Sequence, residues 1–239
     1  MKYFFLFLFL IISSGVFSQE TVINDANAVV RNVTPFSGIK VSGGIDVYLS
    51  QGDDYSLAVS ASEEKYRDNI KTEVKNEVLV VSYNNDHFGR NYGDKKLRVY
   101  VSFKTLESLE GSGASDIIIN GTLVANSMLV KLSGASDIKG AVKITNLSLE
   151  LSGASTVTIN GTAQNLKVDG SGASDIKNYD LKVENCVAKL SGASDVRLTI
   201  TNSISAHASG ASTLYYEGNP DKKDVATSGA SSVSQKNNQ

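Results

Sequence analysis

In the second half of the chain, apolar and polar residues alternate in short bursts that recur in step. The five residues before Ser133, Ser152, Ser171, Ser191 and Ser209 place Met128-Val130-Leu132, Leu147-Leu149-Leu151, Leu166-Val168-Gly170, Cys186-Ala188-Leu190 and Ile204-Ala206-Ala208 at alternate positions. Period two over such a span predicts a strand with one buried face, and the same slots recurring in each copy stack like side chains into ladders. A second aliphatic slot follows each burst, at Ile117, Ile138, Val157, Ile176, Val196, Leu214 and Val233. Each repeat therefore holds at least two strands.

Between the two slots stands Ser-Gly-Ala-Ser, seven times, starting at Ser112, Ser133, Ser152, Ser171, Ser191, Ser209 and Ser228, with steps of 21, 19, 19, 20, 18 and 19 residues. A fixed short period marks a unit that buries its apolar face only against its neighbours, which is the logic of a solenoid. The small residues suit a corner, with glycine free to take a left-handed conformation. Asn126, Asn146, Asn165, Asn185 and Asn202 mark a second corner, where stacked amides can bond from coil to coil. The fold class expected is all-β: a single-stranded parallel β-helix of about 19-residue coils, right-handed by the crossover rule. At about 4.8 Å per coil the repeats make a rod on the order of 30 Å long.

Before the first motif the period disappears but strand patterning persists in Ile39-Lys40-Val41, Ile45 to Leu49, Leu57-Ala58-Val59, Val78 to Val81 and Leu97 to Val101. Val41-Ser42-Gly43-Gly44-Ile45-Asp46-Val47 resembles a worn copy of the repeat. An irregular N-terminal β region of the same domain is expected, closed by a cap that shields open strand edges. Glu63 to Asp68 suits a helical turn, and Asn84 to Lys96 a projecting loop.

The chain opens with Lys2, an apolar run from Tyr3 to Ile12 and small polar residues up to Gln19, the order of a secretory leader cut after Ser18. The expected division is 1–18 signal peptide, 19–32 linker, 33–233 a single β-helix domain and 234–239 a flexible tail. Export to periplasm, cell surface or medium follows, with no membrane anchor in the mature chain. Cys186 is the only cysteine, so an intramolecular disulfide is excluded. A net charge of −2 without a basic stripe argues against nucleic acid.

The chemically suggestive position follows the motif: Asp116, Asp137, Thr156, Asp175, Asp195, Thr213 and Ser232. In-register stacking sets Asp116 over Asp137 and Asp175 over Asp195, like charges that a calcium ion could bridge. Calcium wants six to eight oxygens and the slot supplies one side chain per coil, so the aspartates are expected to cap their own corners by accepting an N–H, without metal or other cofactor. A glycosidase would need two carboxylates at a set separation. Glu150 and Asp169 are neighbours, but their row runs Glu110, Lys131, Glu150, Asp169, Lys189, His207 and reads as an outward face of cross-coil ion pairs. His87 and His207 lie far apart and complete no triad or metal set. Neither position points to an enzyme.

The repeated Ser-Gly-Ala-Ser-Asp-Ile, the preceding Asn-Leu-x-Leu-x-Leu, Phe36-Ser37-Gly38-Ile39-Lys40-Val41 and Ile45 to Gly52 together resemble the auto-transporter adhesin, head GIN domain family, from about Val33 to Val233. The resemblance implies exported proteins of bacteria related to Bacteroides and Flavobacterium, with a β-helix similar in outline to the pectin-lyase superfamily. It implies adhesion through a glycan or envelope-protein partner and brings no catalytic residues. Polysaccharide binding or cleavage is the alternative that the β-helix outline suggests.

Overall fold

Residues one repeat apart lie side by side in parallel strands: Ile117, Ile138, Val157, Ile176, Val196, Leu214 and Val233 form one unbroken ladder. The structure, a computed structural model that describes residues 25–83 and 94–236, is the expected parallel β-helix. The leader and most of the 84–96 loop, His87 included, lie outside the described residues.

The N-terminal region comprises β1 (Val29–Arg31), β2 (Gly38–Ser42), β3 (Asp46–Gln51), β4 (Ser56–Ser60), the single turn α1 (Glu64–Arg67), β5 (Ile70–Lys75), β6 (Val78–Tyr83), β7 (Arg98–Phe103) and β8 (Ser108–Gly111). Its axial order is not its chain order. β2 pairs in parallel with both β6 and β8, and β3 with β7, so the first coil of the sequence sits second along the axis. Its Ser42-Gly43-Gly44 corner lies beneath the first true motif, with the Ser112 N–H donating to the Val41 carbonyl at 3.0 Å. The cap is made by reversing direction: β4 runs antiparallel to β7, β1 to β4, and β5 to β6.

The repeats follow as β9 (Asp116–Leu132), β10 (Asp137–Leu151), β11 (Thr156–Gly170), β12 (Asp175–Leu190) and β13 (Asp195–Ala208), then the shorter β14 (Thr213–Glu217), β15 (Lys222–Thr227) and β16 (Ser232–Gln235). β1 thus falls within the stretch read from sequence as linker, and β16 runs two residues into the stretch read as tail. Each long strand spans both slots expected as separate strands. Seventeen residues in β9 would reach roughly 55 Å if straight, yet each coil returns to within one strand spacing of its start, so the strand bends while its ladder bonds persist. Variation in repeat length is absorbed mainly at the bend after the second slot, where the register shifts between Lys139 and Ala141, Val157 and Gly161, and Lys177 and Lys182, with one further shift between Val183 and Asn185. The Ser-Gly-Ala-Ser corner never shifts.

Close stacking explains that constancy. Gly172 has φ +73, and a Cβ there would lie 2.5 Å from the Gly153 carbonyl oxygen of the preceding coil. The same oxygen accepts the Ala173 N–H at 2.7 Å, a bond repeated from Ala154 to Gly134, Ala193 to Gly172 and Ala211 to Gly192. The last serine is buried in the first six motifs, and in five of these its Oγ donates to the carbonyl of the first serine, as in Ser174 to Ser171 at 2.8 Å. A buried hydroxyl is satisfied without any longer side chain. The first serine donates to the coil before, Ser171 Oγ to Leu151 O at 3.3 Å. Inside, one continuous apolar core runs from Phe36 to Tyr216.

At the second corner the amide ladder is real but begins later than the sequence suggests. Asn165 Nδ2 donates to Asn146 Oδ1 at 2.9 Å, Asn185 to Asn165 at 3.0 Å and Asn202 to Asn185 at 2.6 Å. Asn126 is not part of it, because Ser127 stands opposite Asn146. The first coil is two residues longer than the second, and the register shift at its bend leaves Asn126 one position out.

Candidate binding groove

Where the corner meets the adjoining face, a groove of about 560 Å³ runs along the axis over several coils. One wall is the serine ladder, Ser112, Ser133, Ser152 and Ser171; the other is the outward row Lys40, Glu110, Lys131, Glu150 and Asp169. Parallel register builds both walls, since β2, β8, β9, β10 and β11 place Lys40 beside Glu110, Glu110 beside Lys131, Lys131 beside Glu150 and Glu150 beside Asp169. Lys40 Nζ lies 2.9 Å from Glu110 Oε2, and Lys131 Nζ 2.9 Å from Glu150 Oε2, the ion pairs expected from alternating charge. Hydrogen bonding to Glu150 holds the Lys131 ammonium above the usual lysine range. Asp169 has no ionic or hydrogen-bond partner among the described residues.

Glu150 and Asp169, the carboxylates considered for catalysis, therefore stand side by side on one wall, one of them engaged by lysine. A glycosidase sets its carboxylates on either side of the scissile bond. Here both face the groove from the same row.

The aspartate ladder lies on a different face. Register brings Asp116 beside Asp137 and Asp175 beside Asp195, with Thr156 separating the pairs. The carboxylates do not bond as expected from sequence. Asp137 Oδ1 accepts the N–H of Thr156, in the next coil, at 3.0 Å and so ties two coils together. Asp195 Oδ2 takes the Arg197 guanidinium at 2.7 Å, and Asp175 faces Lys177 at 3.6 Å. Among the described residues no group of three or more His, Cys, Asp or Glu side chains converges in a way that could hold a metal ion.

Two members of that face were not expected from the sequence. Pairing of β3 with β7 and β9 extends the row to Arg98 and Asp46, so Asp46 neighbours Asp116. Burial, and then the Asp116 charge, raise the Asp46 carboxyl above the usual range despite Arg98. Beside them Tyr48 and Tyr100 stack with centroids 5.1 Å apart. Tyr100 Oη donates to Asp25 Oδ2 at 2.8 Å; burial and that bond push its pKa up to about 12. Asp46 had a signal in the worn copy of the repeat, where it follows Ser42-Gly43-Gly44-Ile45 as Asp116 follows Ser112-Gly113-Ala114-Ser115, whereas Arg98 lies in a strand that neither motif nor period aligned. Cys186 is buried in the core, which pushes its thiol up to about 12 and leaves it unreactive as a nucleophile.

The profile of the family described as "Putative auto-transporter adhesin, head GIN domain" matches residues 35–220. The chain belongs to this family. Solved structures agree in fold: a putative adhesin of Bacteroides fragilis superposes with a TM-score of 0.79 at 22% identity, covering 88% of this chain and 98% of that one. A putative adhesin of Parabacteroides merdae gives 0.67 at 17%, covering 88% and 95%. A putative lipid binding protein of Parabacteroides distasonis gives 0.65 at 19%, covering 89% and 98%. No curated protein matches the chain. Among the described residues of this head GIN chain, no helix is long and apolar enough to cross a membrane.

Proposed function

We propose that this head GIN protein is an exported, non-catalytic binding module of adhesin type, and that the axial groove is its contact surface for an extended glycan or an envelope protein. The observation that carries this reading is the groove itself. Serine hydroxyls repeat along one wall at one strand spacing and lysine–glutamate pairs along the other at two, so a linear ligand meets recurring contacts along the axis and gains by multivalency. Export is supported by the leader pattern and by the family's adhesin description. The lipid name of one neighbour finds no interior site at the centre of the repeats: the void between Ile119, Met128, Leu149 and Ile159 measures about 10 Å³, room for a single water at most.

The test is a glycan array and an envelope-extract pull-down with the mature chain, beside a variant carrying Lys131→Glu and Glu150→Lys. That exchange keeps the net charge and the ion pair but inverts the pattern a ligand meets. Binding that is lost or redirected in the variant supports the groove. Binding unchanged by the exchange, or polysaccharide turnover abolished by Glu150→Gln or Asp169→Asn, overturns the reading.

A further inference from the structure

The two ends of the solenoid are closed by different means. At the N-terminal end the strands reverse, and the edges are β5, whose six residues include the charged Lys71, Glu73 and Lys75, and β1, only three residues long. A short or charged edge strand offers little template for another chain. At the opposite end β15 and β16 pair with β13 and β14 on one side, and among the described residues nothing pairs with their outer edges.

That end coil is anomalous inside. Lys223 stands in register with the buried Ile204, Val225 with Ala206 and Thr227 with Ala208, which are inward slots. The preceding coils fill these slots with apolar side chains or glycine, whereas here lysine takes the first, and every residue of β15 is exposed. The Lys223 side chain lies across the open end of the core, its Nζ 5.7 Å from the centre of the Tyr216 ring. Gln235, in register with Tyr216, turns its amide to the Gly218 carbonyl at 2.7 Å.

A flat parallel edge with an apolar inward row is a template for strand addition. A further strand stacked on β15 would enclose the Lys223 ammonium against the core with no counter-charge, which is among the costliest burials available. We propose that Lys223 is an edge guard: its inward-pointing charge prevents a second copy of this chain from adding end to end on the last coil, and so keeps the solenoid a discrete rod. The inference is independent of the groove, which lies on the side of the rod.

The experiment is the mass of the mature protein by light scattering across a concentration series, with circular dichroism to confirm the β-fold. Wild type, the outward-facing control Lys222→Val, and Lys223→Glu, which keeps a charge in the inward slot, are expected at monomer mass throughout. Lys223→Val is expected to shift to twice the monomer mass or more, rising with concentration. Lys223→Thr, a side chain the inward row already carries at Thr227, reads the same outcome should valine not be tolerated. A folded Lys223→Val or Lys223→Thr that stays monomeric, a wild type that itself assembles, or a Lys223→Glu that assembles as readily as the valine variant overturns the proposal.

Discussion

Gly121 and Gly172 share a backbone conformation, with φ +75 and +73, but not a neighbourhood: a Cβ at Gly121 meets nothing within 4 Å, whereas at Gly172 it meets the Gly153 oxygen at 2.5 Å. Alanine at each position separates the cost of left-handed backbone from the cost of parting two coils. Gly121→Ala carries only the former, about 1 kcal/mol. Gly172→Ala carries it too, and must then open the corner by about 0.9 Å to bring 2.5 Å out to an ordinary contact of 3.4 Å. That movement stretches the 2.7 Å bond from Ala173 N–H to Gly153 O beyond bonding range. The lost bond and the gap beside it add about 2–3 kcal/mol. For a chain of this size each kcal/mol moves the melting midpoint by about 2–4 °C, so calorimetry should find a fall of ~3 °C for Gly121→Ala and ~10 °C for Gly172→Ala. Equal falls would show that backbone conformation alone, and not close approach, selects glycine at the corner.

Other perturbations probe the remaining layers. Leu149→Asp, which buries an unpaired carboxyl in mid-stack, should cost at least about 4 kcal/mol by denaturant unfolding, while Lys131→Ala on the groove wall leaves the midpoint near wild type. Asn165→Ala removes two rungs of the amide ladder and should cost about 1–2 kcal/mol, whereas Asn126→Ala, outside the ladder, should be close to neutral. The folded Asp46 carboxyl titrates above its unfolded value, so its favourable contribution is present below the unfolded pKa and is lost as pH rises through the folded one. Asp46→Asn should therefore raise the midpoint at neutral pH and leave it unchanged in acid, as pH-dependent melting would reveal. Calcium or EDTA should not move the midpoint, because Asp137, Asp175 and Asp195 already engage Thr156, Lys177 and Arg197; a rise of several degrees with calcium that Asp137→Ala abolishes would refute this.

The repeats were legible because their physics is local and periodic. Each coil sees the same neighbours, so Ile138 must resemble Ile117 and Val157, and the eye finds the ladder without the structure. The N-terminal coils follow the same rules without the period. β2 and β3 precede β6 and β7 in the chain but lie between them and the strands β8 and β9, an axial order decided by long-range pairing that no local pattern encodes. Arg98 entered the aspartate row by that route and so was not foreseen there, while Asp46 had its signal in the worn motif copy that ends at Val47. Asn126 failed for a smaller reason, an extra two residues at one bend that moved it out of step with Asn146. The groove was half visible: the charged row was read as an outward face of ion pairs, but its meeting with the serine ladder depends on the angle at the corner, which composition does not fix.

Stacking constrains the surface of a solenoid as strictly as its interior, and in a way that separates structure from recognition. A neutral group that both donates and accepts can repeat without conflict, which is why serine and asparagine recur rung after rung, each Asn165 or Asn185 amide giving to the oxygen before it. A charged group repeats only against the repulsion of its homologue at about 4.8 Å, as in the pairs Asp116–Asp137 and Asp175–Asp195, where Asp137, Asp175 and Asp195 each engage an N–H or a cation. The charged row of the groove varies instead, as Lys40, Glu110, Lys131 and Glu150, until the like-charged step to Asp169. The invariant rows hold the coils together; in the proposed groove the charged row is the one whose identity changes from rung to rung. A polymer bearing one repeated charge would meet attraction and repulsion on alternate rungs. The wall suits a chain with neutral polar groups or with both signs of charge, and binding that strengthens with the number of rungs engaged is the behaviour such a wall produces.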